Sequence, residues 1–213
     1  MIQEPQTKSI NEIGMILSDG YYPPFNTKAA LPQELSIIWS SERGYTPISF
    51  GQAVPLDPDY LPLGDVAFIN NEPVNASTML LFANTPDDPT ALAHPTGFVW
   101  ILDDKGSGNT NNISYFWPIA PQGYVAMGLA FGSDTPNPLN YWCVKSEYVV
   151  NGGANYQYWN DSGANWKSHN GDLSTPIAPN STPAPGTAFL VPATFLSNEQ
   201  GNQGNVLIVK QSE

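Results

Sequence analysis

Apolar positions along this chain come in short runs, each cut off by Gly, Pro, Asn or Asp before a helical face could form. LSIIWS (35–40), STMLLFAN (77–84), GFVWIL (97–102), NISYFW (112–117), YVAMGLAF (124–131), YQYW (156–159), TAFLV (187–191) and NVLIVK (205–210) are rich in β-branched and aromatic residues. Such runs, punctuated by turn residues, predict strands. In WCVKSEYVV (142–150) apolar and polar residues partly alternate, as in a sheet with one wet face. Residues 1–34 lack this regularity, and YYPPFN reads as a segment that lays aromatics over the domain rather than as a helix. NVLIVK reads as a last strand that pairs with an early one to close the structure.

The runs also repeat. PLDPDYLPLGDVAF (55–68), PIAPQGYVAMGLAF (118–131) and PIAPNSTPAPGTAF (176–189) share Pro at the first and fourth places and close, at equal length, on Ala-Phe. A tryptophan stands before each copy, Trp39, Trp100 and Trp159, and a polar loop follows each one: SSERGYT, DDKGSGNTNN and NDSGANWKSHNGD. The glycine falls one place earlier in the first copy (Gly64) than in the others (Gly128, Gly186), which predicts a bulge or local shift there. The period exceeds that of most solenoid repeats, and with three copies it implies a closed three-fold architecture. The expected organisation is a single all-β domain over 1–213, with a covering segment (1–34) and units at about 35–97, 98–155 and 156–213. Repetition within an all-β chain makes the Pro-x-x-Pro segments structural turns rather than ligands for polyproline-binding domains.

Composition sharpens this picture by exclusion. The net charge is −12, and the only bases are six Lys and Arg43. A grip on phosphates needs clustered Lys and Arg, so nucleic acid and strongly anionic membranes are excluded as Coulombic partners. The single cysteine, Cys143 in YWCV, forms no internal disulfide and reads as a buried structural thiol. The N-terminal stretch lacks the basic-then-apolar layout of a signal peptide, and no apolar run approaches a membrane span. The expectation is a soluble protein, released or host-delivered.

The polar loops carry the candidate chemistry. Asp103, Asp104, Ser107 and Asn109 in one loop, with Asn160, Asp161 and Trp166 in another, combine short acceptors and amides with nearby aromatics. Sugar hydroxyls need paired donors and acceptors, and sugar C–H faces stack on aromatic rings, so these residues form the candidate carbohydrate-binding set. The competing reading is that Asx and Ser residues close the turns locally while Trp fills the core. Calcium is an alternative ligand for DDKGSGN through its oxygens, although the EF-hand spacing and its terminal Glu are missing; no other cofactor is expected. Zinc is disfavoured, because His94, His169 and Cys143 are far apart in the chain. Asp103 or Asp104 with Asp161 would be the carboxylate pair of a glycan-cleaving enzyme, but nothing in the spacing brings them together, and the chain reads as non-enzymatic. Tyr21, Tyr22 and Phe25 are the aromatics that would seat the chain at a lipid interface, the basis of a membrane-associated alternative.

The middle unit carries a resemblance. Trp100, Asp104-Lys105-Gly106-Ser107-Gly108, Pro118-Ile119-Ala120-Pro121-Gln122-Gly123-Tyr124, Gly128 and Cys143-Val144-Lys145 resemble the signature of the vacuolar protein sorting protein sixty-two family of fungi and its plant relatives. The match covers about residues 98–150, with the flanking units agreeing more loosely; the third unit has Asn160-Asp161-Ser162-Gly163 in place of Asp-x-Gly-Ser-Gly. What the resemblance implies is a β-prism-like fold, with three units forming three faces. Related modules are membrane-associated domains, sugar-binding domains and parts of bacterial toxins. The function so implied is recognition of a glycan or glycosylated cell-surface receptor, as part of an insecticidal or other host-directed toxin. The alternative is a membrane-associated or pore-forming toxin component.

Overall fold

The structure, a computed structural model, describes residues 20–22, 24–42, 46–69, 79–152, 156–161, 171–192, 194–197 and 204–210. Its strands fall into three sets of six. The first set is β2 (Phe25–Ala29), β3 (Leu35–Ser40), β4 (Ile48–Ala53), β5 (Leu61–Pro62), β6 (Val66–Ile69) and β7 (Leu80–Asn84), preceded by β1 (Gly20–Tyr22). The second is β8 (Leu92–Ala93), β9 (Gly97–Asp103), β10 (Ser114–Ile119), β11 (Tyr124–Val125), β12 (Ala130–Gly132) and β13 (Cys143–Lys145). The third is β14 (Val149–Asn151), β15 (Tyr156–Trp159), β16 (Leu173–Thr175), β17 (Thr187–Leu190), β18 (Leu196–Ser197) and β19 (Asn205–Lys210).

Each set makes the same two antiparallel sheets. One has the order β3-β4-β6, repeated as β9-β10-β12 and β15-β16-β18; the other has the order β2-β7-β5, repeated as β8-β13-β11 and β14-β19-β17. The chain is thus an all-β, β-prism-like domain with three-fold internal repetition. A unit begins one strand before the run that ends in Trp, so Phe25–Ala29 belongs to the first unit and is not merely a covering segment. NVLIVK does not pair with an early strand. It lies between β14 and β17 of its own unit, the place that β7 and β13 hold in theirs, because that central position is the one a continuously apolar strand fills.

The registers correct the sequence alignment in two places. Phe50 pairs with Trp39 and Ala67, Tyr115 with Leu102 and Phe131, and Leu173 with Trp159 and Ser197. The counterpart of Trp39 and Trp159 is therefore Leu102; Trp100 lies two places earlier and is 47% exposed, whereas the other two are buried. Gly64 and Gly128 are true equivalents, and it is Ala-Phe that is out by one; in the third unit Ala188 and Phe189 belong to β17 of the other sheet.

The glycines hold their register because the three units meet there. The Asp65 N–H donates to the Leu129 carbonyl and the Leu129 N–H to that of Phe195, each at 2.8 Å. A Cβ on Gly64 would lie 2.9 Å from the Leu129 carbonyl oxygen, and one on Gly128 2.5 Å from Thr194 Cβ. The proline segments end in turns as expected: Tyr60, Tyr124 and Thr187 donate to the carbonyls of Asp57, Pro121 and Ala184, with Gly123 (φ 83°) and Gly186 (φ 75°) at the third place of a type II turn.

Buried side chains from all three units form two principal clusters. Trp39, Phe50, Leu102, Tyr115, Trp159 and Leu173 anchor the cluster beneath the β3-β4-β6 type of sheet, with Phe50 and Phe131 ring centroids 4.2 Å apart. Phe25, Phe82, Leu92, Val144, Leu190 and Leu207 anchor the other, beneath the β2-β7-β5 type. The first cluster carries the polar loops at its rim.

Candidate functional site

In each unit a short polar residue two places after the buried Trp or Leu folds back on its own loop. Ser41 Oγ accepts the Ile48 N–H at 2.8 Å, Asp104 Oδ1 the Ile113 N–H at 2.7 Å, and Asp161 Oδ2 the Gly171 N–H at 3.2 Å. These are the same bond in three copies. Asp104 and Asp161, read from the sequence as sugar ligands, are loop staples.

The middle loop takes the device furthest. Asp104 is fully buried, and its Oδ2 accepts the Ser107 hydroxyl at 3.1 Å and the Asn109 amide at 2.9 Å. Ser107, also buried, accepts the Asn109 N–H, while Asp103 accepts the Lys105 N–H. Gly106 (φ 88°) and Gly108 (φ 94°) supply the left-handed backbone that brings these groups together, which is why the run needs its glycines. Asp104 is ringed by donors, the opposite of a cation cage, and among the described residues no group of three or more His, Cys, Asp or Glu could hold a metal. The structure brings Asp103, Asp104, Ser107 and Asn109 into one loop and leaves Asn160 and Asp161 on another; Trp166 and His169 lie outside the described residues.

The loops are also tied to one another. Trp39 Nε1 donates to the Asn111 carbonyl and Trp159 Nε1 to that of Thr46, both at 2.8 Å, and the Tyr115 hydroxyl donates to the Gly171 carbonyl at 3.0 Å. Each unit thus fastens the loop of the next. Two more bonds join the first and second loops: the Glu42 N–H donates to Asn109 Oδ1, and the Thr110 hydroxyl to Glu42, each at 3.0 Å. Burial, reinforced by the charges of Asp161, Asp104 and Asp172, pushes the Tyr115 hydroxyl well above its usual range and keeps it a donor. Burial likewise raises the Asp161 carboxyl.

Between the first and second units these ties leave a cleft of about 410 Å³. Ile38, Trp39 and Gln52 line one side, Asn111, Asn112 and Ile113 the loop side, and Phe131 to Asp134, Pro136, Asn137 and Asn140 the other. Its base is apolar and its edge is amide, hydroxyl and carboxylate. Below it the fully buried Asp65 accepts the Phe131 N–H and the Tyr141 hydroxyl, and Gln52 donates to Tyr141 at 2.7 Å. Sequence reasoning missed the wall formed by FGSDTPNPLN, since a turn-rich stretch carries no sign of what it faces.

Other candidates resolve into structure. Cys143 is buried, and desolvation pushes its thiol up to about 12. His94 stacks on Trp142 with centroids 4.1 Å apart, its Nδ1 at 3.0 Å from the Tyr141 carbonyl. No helix among the described residues is long and apolar enough to cross a membrane.

Comparison with known proteins places this geometry in context. The family model described as vacuolar protein sorting-associated protein 62 matches residues 30–204. Among solved structures the chain is similar to GNIP1Aa from Chromobacterium piscinae, at 20% identity and a TM-score of 0.64, over 81% of this chain and 32% of that one. It therefore corresponds to a part of that longer protein, and the likeness is one of fold. No curated protein matches the chain.

Proposed function

The chain belongs to the vacuolar protein sorting-associated protein 62 family, and from that premise we propose that it is a non-enzymatic recognition module for carbohydrate displayed on a cell surface. The observation that carries this reading is the bonding of each polar loop to its neighbour through Trp39, Trp159 and Tyr115. Loops held in this way meet a ligand already ordered, so little conformational entropy is lost on binding. Exposed Asn, Thr and Asp side chains on such a rim supply the donor and acceptor pairs that sugar hydroxyls require. Recognition without turnover fits the carboxylates, because Asp104 and Asp161 are both engaged in holding backbone N–H groups. A host-directed toxin would use this module as its targeting part.

The test is a glycan-array screen of the chain, with and without calcium, beside a variant carrying Asp103→Ala and Asn112→Ala. Asp104 is avoided because its loss would undo the loop. Binding to a defined set of glycans, unchanged by calcium and weakened in the variant, is the expected result. Absence of binding across the array would refute the reading.

A second reading rests on one feature of the surface. Leu31, Val54 and Leu56 are exposed, and all three are pinned by buried Glu34: its carboxylate accepts the N–H groups of Leu31 and Leu56, and its carbonyl that of Val54. A fixed apolar tip of this kind suits a lipid interface. Dye leakage from neutral liposomes, abolished by Leu56→Asp, would favour this reading over the first.

A further inference from the structure

The three units are alike in register but not in what stands at their junctions. β3 and β15 each bulge at one residue, Ile38 between the paired Ile37 and Trp39, and Tyr158 between the paired Gln157 and Trp159. β9 bulges likewise at Ile101, between the paired Trp100 and Leu102, so Ile38, Ile101 and Tyr158 hold the same position in the three units. At the junction of the third unit with the first, the Tyr158 hydroxyl donates to the Ala67 carbonyl at 3.2 Å, and its ring meets Phe195 edge-on with centroids 4.9 Å apart. Ala67 is the register counterpart of Phe131. At the junction of the first unit with the second, Ile38 and Phe131 both line the cleft of about 410 Å³.

Resting on the carbohydrate reading, we propose that this cleft is the binding site, and that it takes a neutral, hydroxyl-rich saccharide. Its volume lies within the range of small-molecule sites. Asn111, Asn112, Asn137 and Asn140 are exposed along its edge, each with an amide that donates and accepts, as vicinal hydroxyls demand. Ile38, 37% exposed, gives the cleft an accessible apolar side chain for the C–H face of a sugar ring, above the buried rings of Trp39 and Phe131. Charge selects against acidic sugars. Among the described residues no Lys, Arg or His lines the cleft, Asp134 does, and the chain carries a net charge of −12. Ile38 is exposed in this cleft, where Tyr158 at its own junction donates across to the neighbouring unit.

The experiment compares the wild type, Ile38→Tyr, and the double variant Asn112→Ala with Asn140→Ala on the glycan array, followed by titration of the best neutral glycan. Thermal melts establish that each variant is folded. Both variants should lose affinity by about tenfold or more while melting like the wild type, and sialylated or sulfated glycans should not bind the wild type. If the wild type binds a neutral glycan and both folded variants bind it equally well, the cleft is not the site, although the carbohydrate reading survives. If the wild type binds no glycan, both fall together. Should Ile38→Tyr fail to fold, the asparagine variant alone decides, since both side chains lie at the exposed edge.

Discussion

Asp65 shows at the scale of one residue how burial sets chemistry. Desolvation raises its carboxyl to about 7 from an ordinary 3.8, against the hydrogen bonds from Phe131 and Tyr141 that pull it down. Its hydrogen-bond donors are a backbone N–H and a phenol, neither of them charged. The folded chain therefore holds this proton more tightly than the unfolded chain. From about pH 4 to about pH 7 the residue's contribution falls as pH rises, because the native state then binds more protons than the denatured state. Asp65→Asn removes that dependence, so its melting temperature relative to the wild type should climb between about pH 4 and about pH 7. A constant offset between the two melting curves across that window would show that Asp65 does not titrate there. The same residue marks a limit of sequence reading. Asp65 in LGDV and Asp104 in DDKGSG look like any loop acids, and only the fold reveals that both are buried and bonded.

At the scale of the strand, the repeat was legible and its register was not. Short apolar runs and recurring proline turns gave the all-β fold and the three units, because both signals are local. The fine alignment rested on Trp and Ala-Phe, residues that recur for packing and tolerate a shift of one or two places; Trp100 is exposed where Leu102 takes the buried place. Gly64 and Gly128 were the better markers, since a Cβ on Gly64 would meet the backbone of Leu129 and one on Gly128 the Thr194 side chain. Gly128→Ala should accordingly destabilise the chain by about 1–3 kcal/mol in urea unfolding, the usual cost of overpacking. Replacing Thr194 by Gly in the same chain should recover part of it, because Thr194 Cβ is the atom in the way. A Gly128→Ala chain as stable as the wild type would mean that the three units do not meet as closely as described.

At the scale of the whole molecule, two core clusters divide the labour. One, built from β2, β5, β7 and their repeats, has few polar insertions; the other carries at its rim the three loops fastened unit to unit. The sequence pointed to the loops as the functional end, and it named Asp103 and Asn109 on the one that borders the cleft. It could not show the cleft, whose walls come from residues 38–52, 111–113 and 131–140, because what joins them is the packing of one unit on the next. The most direct test is a map of backbone amide shifts in the isotope-labelled chain as a neutral oligosaccharide is added. Shifts gathered over residues 38–52, 103–113 and 131–140, with Val144, Leu207 and the rest of the other cluster unmoved, are what a carbohydrate site at this rim requires. Shifts centred on the other sheets, or none at saturating sugar, would contradict it.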